Sequence, residues 1–382
     1  MAIAPSRPRV VLNGRFLAQV HTGVQRYGAE TVIALDRLLA NDASLGARID
    51  FVLAVPDGAT PLPLRAIRLV HLPGSGSHWW EQWSLWRFSR RSYLVNFNYS
   101  GPLLKRRQMI TVHDATVRAM PQAFSLAYRW FHNVMVAVLG RTVDRVMTVS
   151  EFSADELERW FGLKREAILV GREGGEHAVH PADDKAVLRK HGLVRGTFIL
   201  GVGSVKPNKN FGLIGRSIQL LSPCPWTVAI AGAKDIGIFR DASVLPDGFK
   251  FLGFVPDTEL SALYRNAAWF VFPSLYEGFG LPAVEAMANG CPVLAARAAS
   301  IPEVCGDGAR YFEADDPQSL ANLLTEVAAN PHLRDPLVQA GKMRLATYNW
   351  SENARILLAY LLEDRLRRTD ALWLAPRPAA SR

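Results

Sequence analysis

The chain has 382 residues, 49% hydrophobic and 21% charged, which is enough to bury two ordinary cores and too apolar for a disordered protein. Three cysteines without paired spacing (Cys224, Cys291, Cys305) argue against a disulfide framework and a zinc site, leaving buried thiols. Neither an apolar leader over Met1 to Pro8 nor a run of ~18 apolar residues is present, so a cytosolic protein is expected.

The net charge of +9 is uneven. Residues 1–180 carry 22 Lys and Arg against 15 Asp and Glu, and the remainder 22 against 20. A basic first half suits an anionic membrane surface, a lipid diphosphate or nucleic acid, or is a solvated basic face. With no zinc-finger spacing and no aromatic RNA-binding signature, no nucleic-acid partner is expected.

In chain order, Val10 to Asn13 reads as a first strand, and His21 to Tyr27 leads into a helix reaching roughly Leu39. Gly23 lies at this strand-to-helix crossing, where ligands bind in a doubly wound sheet; a simple turn glycine is the alternative. Phe51 to Val55 and Arg68 to Leu72 are further strands. Trp79 to Tyr93 is an aromatic helix ending in Arg87, Arg90 and Arg91, the mix of an interfacial helix and hence a candidate membrane contact, or else a core helix. Lys105-Arg106-Arg107 adds a second basic cluster. The strand Met109 to Val112 delivers His113 and Asp114 to the ligand side of the sheet. A helix from about Gln122 to Gly140 and a strand from Arg145 to Val149 follow, then Ser153 to Glu156 in the pattern of a capping box. Residues 170–196 read as a linker with a lead-in helix, from which Glu176 and His177 can reach a cleft.

Phe198 to Ser204 opens a second domain as a strand and a glycine turn. Gly201 and Gly203 begin a dinucleotide-like pattern, but Lys206 stands where the next glycine is needed, so the nicotinamide-dinucleotide fingerprint fails. Strands at Trp226 to Ala231 and Lys250 to Val255 are followed by a helix over Asp257 to about Asn266, capped by Asp257. Trp269 to Phe272 and Pro292 to Ala296 are buried parallel strands enclosing one helix, with Pro282 at its first position and Asn289-Gly290 as its stop. The loop from Tyr276 to Leu281 brings Gly278 and Gly280 to that helix N-terminus, a place for an anion such as a diphosphate. Glu277 precedes the turn and Glu285 is placed in the first helical turn. Beside a phosphate site both carboxylates are expected to accept from hydroxyls, which describes a nucleotide sugar; a dipole-complementing Glu and a tight turn are the plainer alternative. Helices from about Pro317, Leu333 and Ser351 close the chain.

The run Glu277-Gly278-Phe279-Gly280-Leu281-Pro282-Ala283-Val284-Glu285-Ala286-Met287-Ala288-Asn289-Gly290-Cys291-Pro292-Val293 resembles the signature of glycosyltransferase family 4, retaining enzymes of the GT-B fold. The likeness extends from about residue 10 to 368 and is densest over 272–305. It implies an α/β architecture of two doubly wound Rossmann-like domains facing across a cleft: 1–175 binding the acceptor, with a helix over 351–368 returning to it, 176–350 binding the nucleotide sugar, and a tail over 369–382. Carried over by position, His113 would contact the donor sugar and Lys209 the leaving diphosphate. Many members have an Arg where this chain has Ser204, leaving Lys206 or Asn208 to compensate. Gly253-Phe254-Val255 would lie along the nucleobase, Glu285 would hold the ribose and Glu277 the sugar hydroxyls. The implied catalytic residues are therefore His113, Lys209 and Glu277. The implied donor-binding residues are Gly23, Gly203, Ser204, Lys206, Lys209, Phe254, Val255, Glu277, Gly278, Phe279, Gly280, Leu281 and Glu285. No Asp-x-Asp element is present, so no cofactor and no required metal are expected.

The activity so implied is transfer of a hexose from a nucleoside diphosphate sugar to a glycan or polyprenyl-diphosphate-linked acceptor in bacterial exopolysaccharide or O-antigen synthesis, at the inner face of the cytoplasmic membrane. Mannose from GDP-mannose is favoured, with glucose and rhamnose open. An epimerase or phosphorylase of the same fold, or a non-catalytic sugar-nucleotide-binding module, are the alternatives.

Overall fold

The computed structural model describes residues 7–20, 22–204, 206–221, 224–232 and 249–363. The first sheet contains β1 (Arg9–Asn13), β2 (Asp50–Val55), β3 (Arg68–His71), β4 (Tyr93–Asn96), β5 (Gln108–Thr111), β6 (Arg145–Thr148) and β7 (Ile168–Val170), in the order β3-β2-β1-β4-β5-β6-β7. The second contains β8 (Phe198–Val202), β9 (Thr227–Ala231), β10 (Phe249–Gly253), β11 (Trp269–Phe272), β12 (Val293–Ala296) and β13 (Ala309–Phe312), in the order β10-β9-β8-β11-β12-β13. Every pairing within the two sheets is parallel. The central strands are apolar on both faces because helices cover both, and Val10, Val11, Leu12, Phe270, Val293 and Leu294 are fully buried. Each sheet reverses its strand order once, between β1 and β4 and between β8 and β11, which opens a crevice beyond the strand C-termini.

The last described helix, Trp350–Leu362, packs on the first domain's helix Gly23–Asn41, with Leu357 and Leu361 buried in the first domain's core. Residues 364–368 of the expected returning helix, the tail 369–382, and His21 lie outside the described residues.

Several local expectations are corrected. The helix expected from Gln122 begins at Leu126, because Pro121–Ala123 forms a 3-10 turn and Ser125 supplies the cap to the Tyr128 N–H. The helix Glu151–Phe161 is capped by Ser150, not by a Ser153 box; the Ser150 hydroxyl accepts from the Ser153 N–H at 3.0 Å. Asp257 caps nothing: it is the first residue of its helix, and its carboxylate receives Arg26 from the other domain at 2.8 Å. Lys105 does not join a surface basic cluster. It is buried, donates to the Ser89 and Ser92 carbonyls at 2.8 Å each, and burial pushes its ammonium down to about 8.

The domains are fastened beside this helix by side chains of one binding backbone of the other. Glu303 of the second domain accepts from the Glu151 and Phe152 N–H groups at 3.0 and 2.9 Å, filling orphan donors of the first helical turn and complementing its dipole. Tyr276 donates to Glu156 at 3.0 Å. Glu303→Ala is expected to cost about 1 kcal/mol, the usual effect of losing an N-terminal cap, and Glu303→Gln, which keeps one acceptor oxygen, less. Thermal midpoints of the two variants against the wild type measure the difference; equal midpoints for all three would remove the cap from the account.

Candidate active site between the two domains

A cleft of about 1060 Å³ lies between the domains, and every catalytic and donor-binding candidate from the sequence lines it, whereas Glu176 and His177 do not. The contributing segments follow β1, β5, β8, β9, β10 and β11, so the C-terminal ends of both sheets open into one space. Topology gathers the candidates.

The central loop leaves β11 and enters the helix Leu281–Ala288 through Gly280, whose φ of +103° lies in the left-handed region. The helix starts one residue earlier than expected, so Pro282 is its second residue and Glu285 lies in the second turn rather than the first. No side chain caps the start; Pro282 has no N–H and Ala283 donates to the Gly280 carbonyl at 2.9 Å, which leaves the N–H of the cleft-lining Leu281 as the first-turn donor without a side-chain cap. Gly278 has a different reason to be glycine: a Cβ there would stand 2.3 Å from the His113 carbonyl oxygen. Its own carbonyl accepts from Ser150 and Ser153 at 2.5 and 3.0 Å. Phe279 and Leu281 are buried beside it.

Glu277 accepts from Lys209 at 2.5 Å, both side chains being mostly shielded from solvent. Lys209 ends the 3-10 turn Pro207–Lys209, and Asn208 within that turn donates to the Tyr276 carbonyl at 3.2 Å while its own carbonyl accepts from the Leu275 N–H at 2.8 Å. Asn208 is therefore a fastener between the two loops, not a replacement for the missing Arg. Lys206 reaches the first domain, its ammonium 5.8 Å from the Phe124 ring centre. Ser204 is exposed on the cleft wall beside Gly203. Val255 is buried and Phe254 projects into solvent at the edge, while Gly23 opens the helix Gly23–Asn41 with free space where a Cβ would be.

Glu285 is held at both oxygens. One accepts from the Tyr264 hydroxyl at 3.1 Å, the other lies 3.0 Å from His177 Nε2. The Trp350 indole N–H, 3.1 Å from His177 Nδ1, requires an acceptor there, which places the imidazole proton on Nε2, facing the carboxylate. Glu285 is thus oriented as an acceptor, with lone pairs left for a ligand. Glu176 instead accepts from the Trp350 N–H at 2.7 Å and serves the returning helix.

His113 lies with Nε2 3.2 Å from the Phe97 carbonyl and Nδ1 3.8 Å from a Glu173 oxygen, and the Tyr27 ring stands perpendicular to it at 4.7 Å. Asp114 accepts from the Thr116 N–H at 2.7 Å, so it shapes the loop. Glu173 is buried; loss of solvent pushes its carboxyl up, and His113 pulls it partly back. Sequence reasoning missed Glu173, Tyr264 and Trp350, and missed the first-domain wall where the tilted rings of Tyr99 and His132 meet at 4.4 Å beside Tyr128. None has a local signal; each is defined by a partner distant in sequence.

Comparison with known proteins defines the class. Residues 184–344 match the family model described as Glycosyl transferases group 1, so the second domain carries a group 1 glycosyl transferase domain. The chain is 26% identical over 310 residues to O-antigen chain mannosyltransferase B of Escherichia coli, covering 76% of this chain and 77% of that one. It is 26% identical over 337 residues to an O-antigen chain mannosyltransferase of Salmonella typhimurium, covering 84% and 92%. Among solved structures, a sucrose-phosphate synthase from Thermosynechococcus elongatus superposes with a TM-score of 0.71 at 18% identity, over 95% of this chain and all of that one. HepE of Anabaena, solved with UDP and glucose, superposes with a TM-score of 0.68 at 17% identity, over 94% and 100%. The fold is GT-B, and the chain is a glycosyltransferase.

The raised Glu173 carboxyl gives a pH dependence of definite sign. With its folded value above the unfolded value of about 4.3, the folded protein binds more protons, so the group's contribution to stability falls as pH rises through that interval. Glu173→Gln is expected to flatten that fall and to be at least as stable as the wild type at pH 7. A Glu173→Gln protein with an unchanged slope of stability against pH would contradict this.

Proposed function

We propose that the protein transfers a hexose, with retention at the anomeric carbon, from a nucleoside diphosphate sugar to a hydroxyl of a lipid-linked glycan during bacterial surface polysaccharide synthesis. Mannose from GDP-mannose is the favoured donor. The observation that carries the reading is the Lys209–Glu277 pair at 2.5 Å in front of an uncapped helix start, with Glu285 already fixed as an acceptor one turn further on. A cation and the uncapped Leu281 N–H suit a diphosphate, and two carboxylates suit hydroxyls. The O-antigen mannosyltransferase relatives support the choice of sugar and pathway class.

As the bond from the anomeric carbon to the diphosphate breaks, negative charge grows on the leaving group. Lys209 and the Leu281 N–H at the positive end of the helix stabilise it without reorganisation, the form of catalysis that usually contributes most. Lys206 adds charge near the place the family's Arg would occupy. Glu277, relieved of Lys209, accepts from sugar hydroxyls, His113 lines the opposite side of the sugar, and Glu285 holds the ribose. The acceptor oxygen attacks from the side the diphosphate leaves, and its proton passes to an oxygen of the departing diphosphate, so no side chain is required as base. The carboxylates are not assigned as a glycosidase pair, because Glu285 is committed to Tyr264 and His177 and, in this reading, neither stands as an acid beside the leaving oxygen.

The test is release of nucleoside diphosphate from a panel of GDP-, UDP- and dTDP-sugars, with and without bacterial membrane extract. Release from one donor, rising with extract, is expected; silence across the panel from folded protein would overturn the proposal. Lys209→Ala should lower turnover by about 10²-fold or more, whereas Glu285→Ala should chiefly raise the donor KM. Wild-type turnover in folded Lys209→Ala would remove the lysine from the mechanism.

A further inference from the structure

The first domain leaves large apolar side chains uncovered on two adjoining helices. Along Leu126–Thr142, Leu126, Trp130, Val134 and Val138 recur at four-residue spacing and all face solvent, Leu126 at 78% and Trp130 at 70% exposure. On the other helix, which runs from His78 to Ser89 through a π-helical segment at Glu81–Leu85, Trp79 and Trp83 do the same at 82% and 67%. The two helices touch through His78 and Phe131, whose ring centres are 4.6 Å apart, and these residues are the chain neighbours of Trp79 and Trp130. Gln82 ties in a third piece, donating to the Gly101 carbonyl and accepting from the Leu103 N–H at 2.9 Å each, beside the exposed Leu104. A monomer in water scatters such residues singly; here they are grouped.

Charge selects the occupant. Residues 78–142 hold nine Lys and Arg against only Glu81 and Asp114, and Glu81 is buried. Arg87, Arg90, Arg91 and Arg106 are exposed on the elements that present the tryptophans and Leu104. Tryptophan with leucine, fringed by arginine and with no exposed acid within residues 78–142, matches the interface of an anionic bilayer, where indole rings sit at the headgroup level and guanidinium groups meet lipid phosphates. No helix among the described residues is long and apolar enough to cross a membrane, so the surface would lie on the bilayer. Tyr128, exposed on the second helix, also lines the cleft, so the acceptor side of the cleft opens onto this surface.

We propose that Trp79, Trp83, Leu104, Leu126, Trp130 and Val134 form a docking face that seats the protein on an anionic lipid surface with the cleft mouth at the headgroups. The proposal rests on the lipid-linked acceptor of the preceding section for its purpose, and on the exposed residues for its existence. Docking lets the returning lipid headgroup reach Tyr128 and the cleft without leaving the membrane.

The experiment is co-sedimentation of the full chain with phosphatidylcholine vesicles containing about one-third phosphatidylglycerol, alongside tryptophan quenching by brominated acyl chains. Wild type is expected to sediment at low salt and to be quenched. Trp79→Glu combined with Trp130→Glu should weaken sedimentation about tenfold or more and reduce quenching, while nucleoside diphosphate release measured without vesicles stays at the wild-type rate. Arg87→Glu with Arg90→Glu should lose the preference for phosphatidylglycerol. Wild type that ignores the vesicles, a double-Trp variant that sediments like wild type, or a stable dimer in which the stripe is covered would overturn the docking face. Nucleotide release without vesicle binding would leave the catalytic reading standing, and vesicle binding without nucleotide release from any donor would do the reverse.

Discussion

The two domains meet closely at one peptide. The backbone of Gly278 comes so close to the His113 carbonyl that a single added carbon would collide with it, and its own carbonyl is bound by the hydroxyls of Ser150 and Ser153. His113 follows β5 and Ser150 caps the helix after β6, so the second domain's central loop is registered directly against two strand ends of the first. Everything in the cleft inherits that registration. The neighbouring residue Glu277 faces Lys209, Gly280 turns the chain into the helix, and His113 is held where the loop passes. A looser contact would leave each of these groups intact and their distances undefined, and catalysis by preorganised charge depends on the distances.

The returning helix Trp350–Leu362 adds a second tie of a different kind. Its body packs on the first domain, yet Trp350 at its start fixes the His177 tautomer, and His177 fixes Glu285 in the second domain. Its Asn353 donates to the Gly171 carbonyl at 2.8 Å, anchoring the segment that carries Glu173 and His177. One helix start thus positions a carboxylate on the far side of the cleft through two hydrogen bonds. Buried polar chains of this sort are costly when half satisfied, and here each member has its partner.

Much of this was legible in the sequence, for physical reasons. Parallel strands buried on both faces read as apolar runs, and glycines at strand ends mark ligand loops, so most strands of both sheets and the loop from Tyr276 to Leu281 could be placed from residues alone; β4, β7 and β13, each only three or four residues long, were not. Helix starts were less legible, because capping needs only one side-chain oxygen and several were on offer: Ser150 and Ser153 are both plausible, and Asp257 resembles a cap while its carboxylate is drawn to Arg26. Lys105 looked like surface charge because burial of a lysine leaves no local trace. Glu173, Tyr264 and Trp350 were invisible for the same reason; they have roles only through groups far along the chain. The aromatic helix expected over Trp79 to Tyr93 ends at Ser89, and the apolar stripe on Leu126–Thr142 reads as an ordinary core face until the fold shows that none of the described residues covers it.

The resting arrangement of Lys209 and Glu277 constrains what the cleft can accept in the proposed reaction. Lys209 is already paired, so an incoming diphosphate must share or draw away the charge that faces Glu277, and the carboxylate, shielded from water, is then short of donors. A bare nucleotide would leave that cost standing. A free sugar would supply hydroxyls to Glu277 but nothing for the lysine or the Leu281 N–H. Only a ligand that carries phosphate and hydroxyls on adjoining atoms completes the exchange, each part satisfying the group the other has released. Selection of a sugar nucleotide over its fragments then follows from one ion pair and the shape of the loop that holds it.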